Sequence, residues 1–200
     1  MTSGNGKAIR LFVAVKLPEK LLEMIGSLQA GLKRGFNFKR VSWARPAGIH
    51  LTLKFLGAVD ESRIDEITGA LQEAAAHSSP FTLETCAVSG FPNISSPRVL
   101  WLGIKESTGL MELQKAVDGS LAAIGFERDS RPFRPHLTIA RIRSPEERRP
   151  LGALAIKLER DIFIEFRVDS FILFRSRLTP GGAVHSVIKR FEVAGGDSID

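Results

Sequence analysis

The sequence predicts an α+β protein of two similar lobes, with mostly antiparallel sheets flanked by helices around a central cleft, and residues 1–200 forming one two-lobed domain. Three observations predict it. Helical stripes and strand-like segments alternate along the whole chain, two of the strands are joined by a strong turn signal, and one nine-residue segment recurs just under half the chain later. Strands that arrive partly as hairpins and partly across helices argue against a doubly wound parallel sheet.

Residues 11–16 alternate around Val13 and Val15 and read as a first strand. Pro18 then opens a helix whose apolar stripe, Leu21, Ile25, Leu28 and Leu32, keeps close to the helical period. Further stripes run through Ile64, Ile67 and Leu71, and through Leu110, Leu113, Val117, Leu121 and Ile124. A fourth helix begins at Ser144-Pro145-Glu146-Glu147, with serine as N-cap, proline at the first helical position and Glu147 placed for a capping box; Leu151, Leu154 and Leu158 follow. Strand-like segments occupy residues 49–56, 81–89, 99–104, 136–142, 162–174 and 184–193. Thr179-Pro180-Gly181-Gly182 predicts that the last two form a hairpin, and the breaker-rich stretch 90–97 reads as irregular loop.

A composition of 44% hydrophobic and 25% charged residues suits a soluble globular chain able to bury a core unaided. The one cysteine, Cys86, excludes an internal disulfide and reads as a buried, inert core residue. The first residues lack the apolar stretch of a signal peptide and no later run is long enough to span a membrane, so a cytoplasmic protein is expected. The chain is expected to be a monomer. A net charge of +6 suits a polyanionic partner, nucleic acid being the usual one.

The repeat carries the chemistry. Residues 45–53 (Arg-Pro-Ala-Gly-Ile-His-Leu-Thr-Leu) and 131–139 (Arg-Pro-Phe-Arg-Pro-His-Leu-Thr-Ile) match at the arginine, proline, histidine, leucine, threonine and final aliphatic positions. In a strand, residues two apart share a face, so His50 and Thr52 point together, as do His136 and Thr138, while Leu51, Leu53, Leu137 and Ile139 point into the core. Two imidazoles and two hydroxyls facing each other across a duplicated cleft suit in-line displacement at phosphorus. One histidine takes a proton from the nucleophile and the other gives one to the leaving oxygen. The threonines can donate to non-bridging oxygens, and Arg141, five residues after His136, can add fixed positive charge; its counterpart in the first repeat is Phe55. Geometry alone leaves the two proton roles interchangeable. No carboxylate or cysteine in these segments is spaced to complete a metal shell, so no metal is expected. Walker, Rossmann and nucleophile-elbow signatures are missing.

Other candidates carry less. His77 closes a helix and reads as a favourable C-terminal charge, while His185 follows the hairpin turn and is a candidate substrate contact. Basic residues at 33–34, 39–40, 128–134 and 141–149 read mainly as solvated, with those flanking the second motif able to track an RNA backbone. Trp43 and Phe133 could stack a base, though a core role suits each better.

At these residues the chain resembles the bacterial and archaeal RNA 2′,3′-cyclic phosphodiesterases, also called 2′-5′ RNA ligases, of the 2H phosphoesterase superfamily. The likeness runs from residues 10–15 (Arg-Leu-Phe-Val-Ala-Val) through Trp43, 50–57 (His-Leu-Thr-Leu-Lys-Phe-Leu-Gly), 90–92, 97–101 and 133–141 to Ser176-Arg177-Leu178 and Gly182-Ala183. The resemblance implies hydrolysis of an RNA-terminal 2′,3′-cyclic phosphate to a 2′-phosphate, with no metal or cofactor. It also implies His50 as proton donor, His136 as proton acceptor and Arg141 as a phosphate contact, with reversible 2′-5′ ligation as a side activity. Related activities on 2′-5′ oligonucleotides or ADP-ribose cyclic phosphate, or an RNA-binding module without chemistry, are the alternatives. One departure stands out. The family often has a tyrosine just after the residues matching Gly182-Ala183; this chain has no tyrosine, and His185 stands there.

Overall fold

A computed structural model describes residues 7–34, 37–157, 163–179 and 182–194. The order is β1 (Ala8–Lys16), α1 (Glu19–Lys33), β2 (Val41–Trp43), β3 (His50–Asp60), α2 (Ile64–Ala76), β4 (Phe81–Phe91), β5 (Val99–Ile104), α3 (Thr108–Ala123), β6 (His136–Ile142), α4 (Pro145–Lys157), β7 (Glu165–Val168), β8 (Ser170–Thr179) and β9 (Gly182–Glu192). The strands form two antiparallel sheets, sheet A in the order β3-β1-β8-β9 and sheet B in the order β2-β6-β5-β4-β7. The expected α+β class is observed.

Each sheet buries one face beneath a pair of helices. In α3 the stripe Leu110, Leu113, Val117 and Leu121 is fully buried, and Ser107 caps the helix by accepting a hydrogen bond from the Leu110 amide at 3.4 Å. Each of those four side chains is worth roughly 2 kcal/mol of apolar burial. Helices α2 and α3 pack together over sheet A, α3 against β3 and α2 against β9. Helix α4 packs on β4 and β6, and α1 reaches sheet B through Gln29, whose buried amide donates to the carbonyls of Ala44 (2.7 Å) and Ile139 (3.0 Å). The strand triplets β3-β1-β8 and β6-β5-β4 correspond, so the repeat read from the sequence is a duplicated half with β3 standing for β6.

Four details differ from the expectation. Residues 162–174 do not form one strand: β7 pairs with β4 in sheet B, and after Asp169 the chain crosses to sheet A as β8. The buried positions shift phase there, from Phe166 and Val168 to Phe171 and Leu173, which turns the other face of the chain toward the core. Gly90 and Phe91 belong to β4, not to a loop, pairing with Leu100 and Val99. Glu147 does not complete a capping box; its carboxylate accepts from the backbone amides of Lys39 (2.7 Å) and Arg40 (3.0 Å). Cys86 is half-buried, and partial burial pushes its thiol pKa up. The predicted hairpin is β8–β9, with Thr179 opposite Gly182; Pro180 and Gly181 of its turn, Ile162, Leu158 of the fourth stripe and the first six residues lie outside the described residues. Among the described residues no helix is long and apolar enough to cross a membrane.

Candidate active site

Both motif histidines open a strand. A 3₁₀ turn at Pro46–Gly48 leads into β3, and the imidazole of His50 folds back so that Nδ1 lies 2.8 Å from the Gly48 carbonyl oxygen. At the head of β6, Nδ1 of His136 lies 2.7 Å from the Arg134 carbonyl oxygen. A carbonyl only accepts, so each Nδ1 carries a proton and each Nε2 is left to exchange one. The same i−2 contact, built twice, sets the same tautomer in both halves.

Strict alternation would place Lys54 beside His50 and Thr52, and Ala140 beside His136 and Thr138. A bulge in each strand prevents this. The register slips at Leu53 in β3 and at Ile139 in β6, so two successive residues face the core. Lys54, only 2% exposed, is thereby turned inward onto Asp118 of α3, 2.5 Å from Oδ1, and also donates to the Glu127 carbonyl at 2.8 Å. Beyond the bulges the next residues, Phe55 and Arg141, come out on the histidine face, and both are exposed. Arg141 therefore shares a face with His136 and Thr138 because β6 is bulged. Neither Thr52 nor Thr138 commits its hydroxyl to a hydrogen bond within the described residues.

Aromatic rings from neighbouring strands frame each imidazole. His50 stacks on Phe12 of β1 at 4.6 Å between ring centroids and lies 6.1 Å from Phe174 of β8. His136 meets Phe91 of β4 edge-on at 5.1 Å and lies 6.0 Å from Trp101 of β5. In the duplicated halves β1 answers to β5 and β8 to β4, so the frame too is built twice. Strands β3 and β6 are in contact where the sheets meet, with their histidine faces on the helix-free side.

The family model for the 2′-5′ RNA ligase superfamily matches residues 17–179. An RNA 2′,3′-cyclic phosphodiesterase of Archaeoglobus fulgidus is 34% identical over 186 residues, covering 92% of this chain and 100% of that protein. The chain belongs to the 2′-5′ RNA ligase superfamily. Its similarity extends to an RNA 2′,3′-cyclic phosphodiesterase of Methanocaldococcus jannaschii, 32% identical over 183 residues with 92% and 100% of the two chains covered. The solved structure of TT0787 from Thermus thermophilus superposes with a TM-score of 0.79 at 28% identity, covering 94% of this chain and 100% of that one. The E. coli LigT structure complexed with 3′-AMP shares the fold, with a TM-score of 0.74 at 24% identity over 94% of this chain and 99% of LigT.

In this superfamily member the two halves of the site are not equivalent. Strand β9 adds His185 to the His50 side, edge-on to His50 at 5.2 Å and to Phe12 at 4.9 Å. Burial drives the His50 pKa down from 6.5 to about 4; the Gly48 hydrogen bond opposes that shift and repulsion from His185 reinforces it. Burial lowers the His185 pKa as well, and its Nδ1 is buried without a partner. Beside these rings lies a cavity of about 300 Å³ whose lining includes Lys16, Phe174, Val187 and Arg190. On the other side, Trp101 Nε1 is likewise buried and unpartnered. A Cβ on Gly103, opposite His136 in the register, would come within 2.5 Å of Cys86 Sγ, so a larger residue there would have to displace the Cys86 side chain.

Sequence reasoning missed Phe12, Phe91, Phe174, Gln29 and Asp118, because each serves the site from an element with no motif of its own. His77 lies away from the site at the end of α2, its Nδ1 2.9 Å from the Glu73 carbonyl. Trp43 and Phe133 pack against the core, Trp43 with Lys33 over its ring at 5.0 Å. Among the described residues no group of three or more histidine, cysteine or acidic side chains is placed to hold a metal ion.

Proposed function

We propose that this chain is an RNA 2′,3′-cyclic phosphodiesterase that opens a terminal 2′,3′-cyclic phosphate to a 2′-phosphate by paired histidine acid–base catalysis, without a metal ion. The observation that carries the reading is the doubled tautomer lock: two imidazoles on contacting strands, each with Nδ1 bound to the carbonyl two residues back and Nε2 free. The relatives named RNA 2′,3′-cyclic phosphodiesterase support the substrate.

In this reading Nε2 of His136 takes a proton from water as its oxygen attacks phosphorus. The bond from phosphorus to the 3′-oxygen breaks, and protonated Nε2 of His50 delivers a proton to that leaving oxygen. Thr52, Thr138 and Arg141 donate to the non-bridging oxygens, where charge builds in the transition state. The imidazole of His50 is neutral in the free protein at pH 7, since its pKa is about 4. The anionic phosphate restores the proton, because a negative charge beside a desolvated imidazole favours its charged form. An RNA 5′-hydroxyl in place of water would give a 2′-5′ bond through the same steps, which accounts for ligation as a side activity.

The test is conversion of an RNA 2′,3′-cyclic phosphate to the 2′-phosphate by purified protein in EDTA. Turnover is expected, with His50→Ala and His136→Ala each slower by about 10²–10⁴-fold. Near-normal turnover in either variant removes that residue from the mechanism. Activity lost in EDTA and restored by a divalent ion overturns the metal-free step.

A further inference from the structure

Beyond Arg141, β6 continues into a basic edge that the two-histidine chemistry leaves unused. Ser42 of β2 pairs with Arg141, and the Arg143 amide donates to the Arg40 carbonyl at 3.0 Å, so the ladder runs on past the strand ends. By alternation Arg141, Arg143, Ser42 and Arg40 share the face that carries His136 and Thr138. At the end of this track lies an open cavity of about 470 Å³, lined by Lys39, Arg40, Val41, Ser42 and Arg143.

Three cations and no carboxylate line it. Glu147 is near enough to neutralise them, but its oxygens are taken up by the backbone amides of Lys39 and Arg40, which fixes that segment and leaves both side chains to the cavity. Glu146 accepts from the Ser144 hydroxyl, and it reaches Arg40 only through its field. Lys39, Arg40 and Arg143 make no ion pair among the described residues. A cavity lined by three cations and a serine hydroxyl that can donate fits a phosphodiester anion. It has no aromatic wall on which a base could stack, so it would hold the backbone and not read sequence.

We propose that this cavity is a second phosphate subsite, which holds an upstream backbone phosphodiester of the RNA whose cyclic end lies at His50 and His136. This rests on the functional reading above. From His136 to Arg143 the strand covers about 20 Å at roughly 3.3 Å per residue, allowing for the bulge. The bound phosphate therefore lies several nucleotides back from the cyclic end, and the subsite makes the enzyme prefer an RNA strand to a mononucleotide.

The experiment compares a nucleoside 2′,3′-cyclic monophosphate with RNA decamers bearing the same cyclic end, using wild type, Arg40→Ala/Arg143→Ala and Arg40→Lys/Arg143→Lys. The alanine pair is expected to raise KM for the decamers about tenfold or more, whatever their upstream sequence. It should also flatten the salt dependence by about 0.7 in log–log slope for each phosphate no longer neutralised. Turnover of the mononucleotide should be unchanged, and the lysine pair should recover most of the loss. An unchanged KM for the decamer, or an equal loss on both substrates, overturns the subsite. If wild type turns over neither substrate, the functional reading has failed by itself. Equilibrium binding of a decamer ending in a simple 3′-phosphate then decides the subsite: weaker binding to the alanine pair supports it and equal binding overturns it.

Discussion

His50 gives up proton affinity for its place in the aromatic frame. Its pKa of about 4 in the native protein lies below the unfolded value of 6.5, so between those pH values the unfolded chain binds a proton that the native state refuses. The stability this neutral ring contributes is complete above pH 6.5 and is lost as pH falls through 4, by about 3 kcal/mol. Urea unfolding at pH 7 and pH 4.5 should therefore show a larger acid loss in wild type than in His50→Phe; equal losses would mean the ring is not desolvated. Phosphate should reverse the effect, and NMR titration with inorganic phosphate is expected to move the His50 pKa upward. An unmoved His50 would leave it without a route to become the proton donor. At this scale the sequence was readable for the motif side chains and opaque for what surrounds them. His50, Thr52, His136 and Thr138 follow from a repeat, whereas Phe12, Phe91 and Phe174 come from neighbouring strands that only the folded register brings alongside.

Among the elements, the paired bulges decide what the site contains. Periodicity gave both histidine faces as far as Thr52 and Thr138, then failed one residue later, since nothing in the sequence of Leu53-Lys54 or Ile139-Ala140 marks two successive residues as facing the core. Buried polar groups hold the two bulges. Gln29 binds the carbonyl of Ile139 in one, and in the other the Lys54 ammonium is held by Asp118, with Arg128 at 3.4 Å from the second carboxylate oxygen. Removing one member of a buried pair strands the other charge. Asp118→Ala is expected to cost about 3–5 kcal/mol in urea unfolding, and Lys54→Met added to it should restore much of that loss. If the double variant is no more stable than Asp118→Ala, Lys54 is not the stranded group.

The whole molecule interleaves its halves. The chain leaves sheet A after β1 to place α1 against sheet B, and it leaves sheet B after β5 to place α3 against sheet A. It crosses again at Asp169, where the Val193 amide donates to the Asp169 carbonyl at 2.9 Å. Each sheet loses one of its two covering helices if the other half unfolds, so both halves should unfold together. Trp43 and Trp101 both lie in sheet B, so their fluorescence reports that half, while far-ultraviolet circular dichroism reports both; coincident urea transitions are expected, and separated ones would show independent lobes. The duplication was legible from matched motifs 86 residues apart (136 − 50). The crossing at Asp169 left only a slip in apolar phase, which a reading by composition passes over.

The tautomer lock explains where the two copies were free to drift. The group that orients each imidazole is a main-chain oxygen, at Gly48 in one half and Arg134 in the other. A side chain at that position contributes nothing to the lock, so glycine and arginine serve equally. A substitution at either site that keeps the backbone in place is therefore expected to leave the hydrogen bond to the imidazole intact. The two halves thus carry different side chains two residues before the histidine, arginine in one and none in the other, around the same main-chain contact.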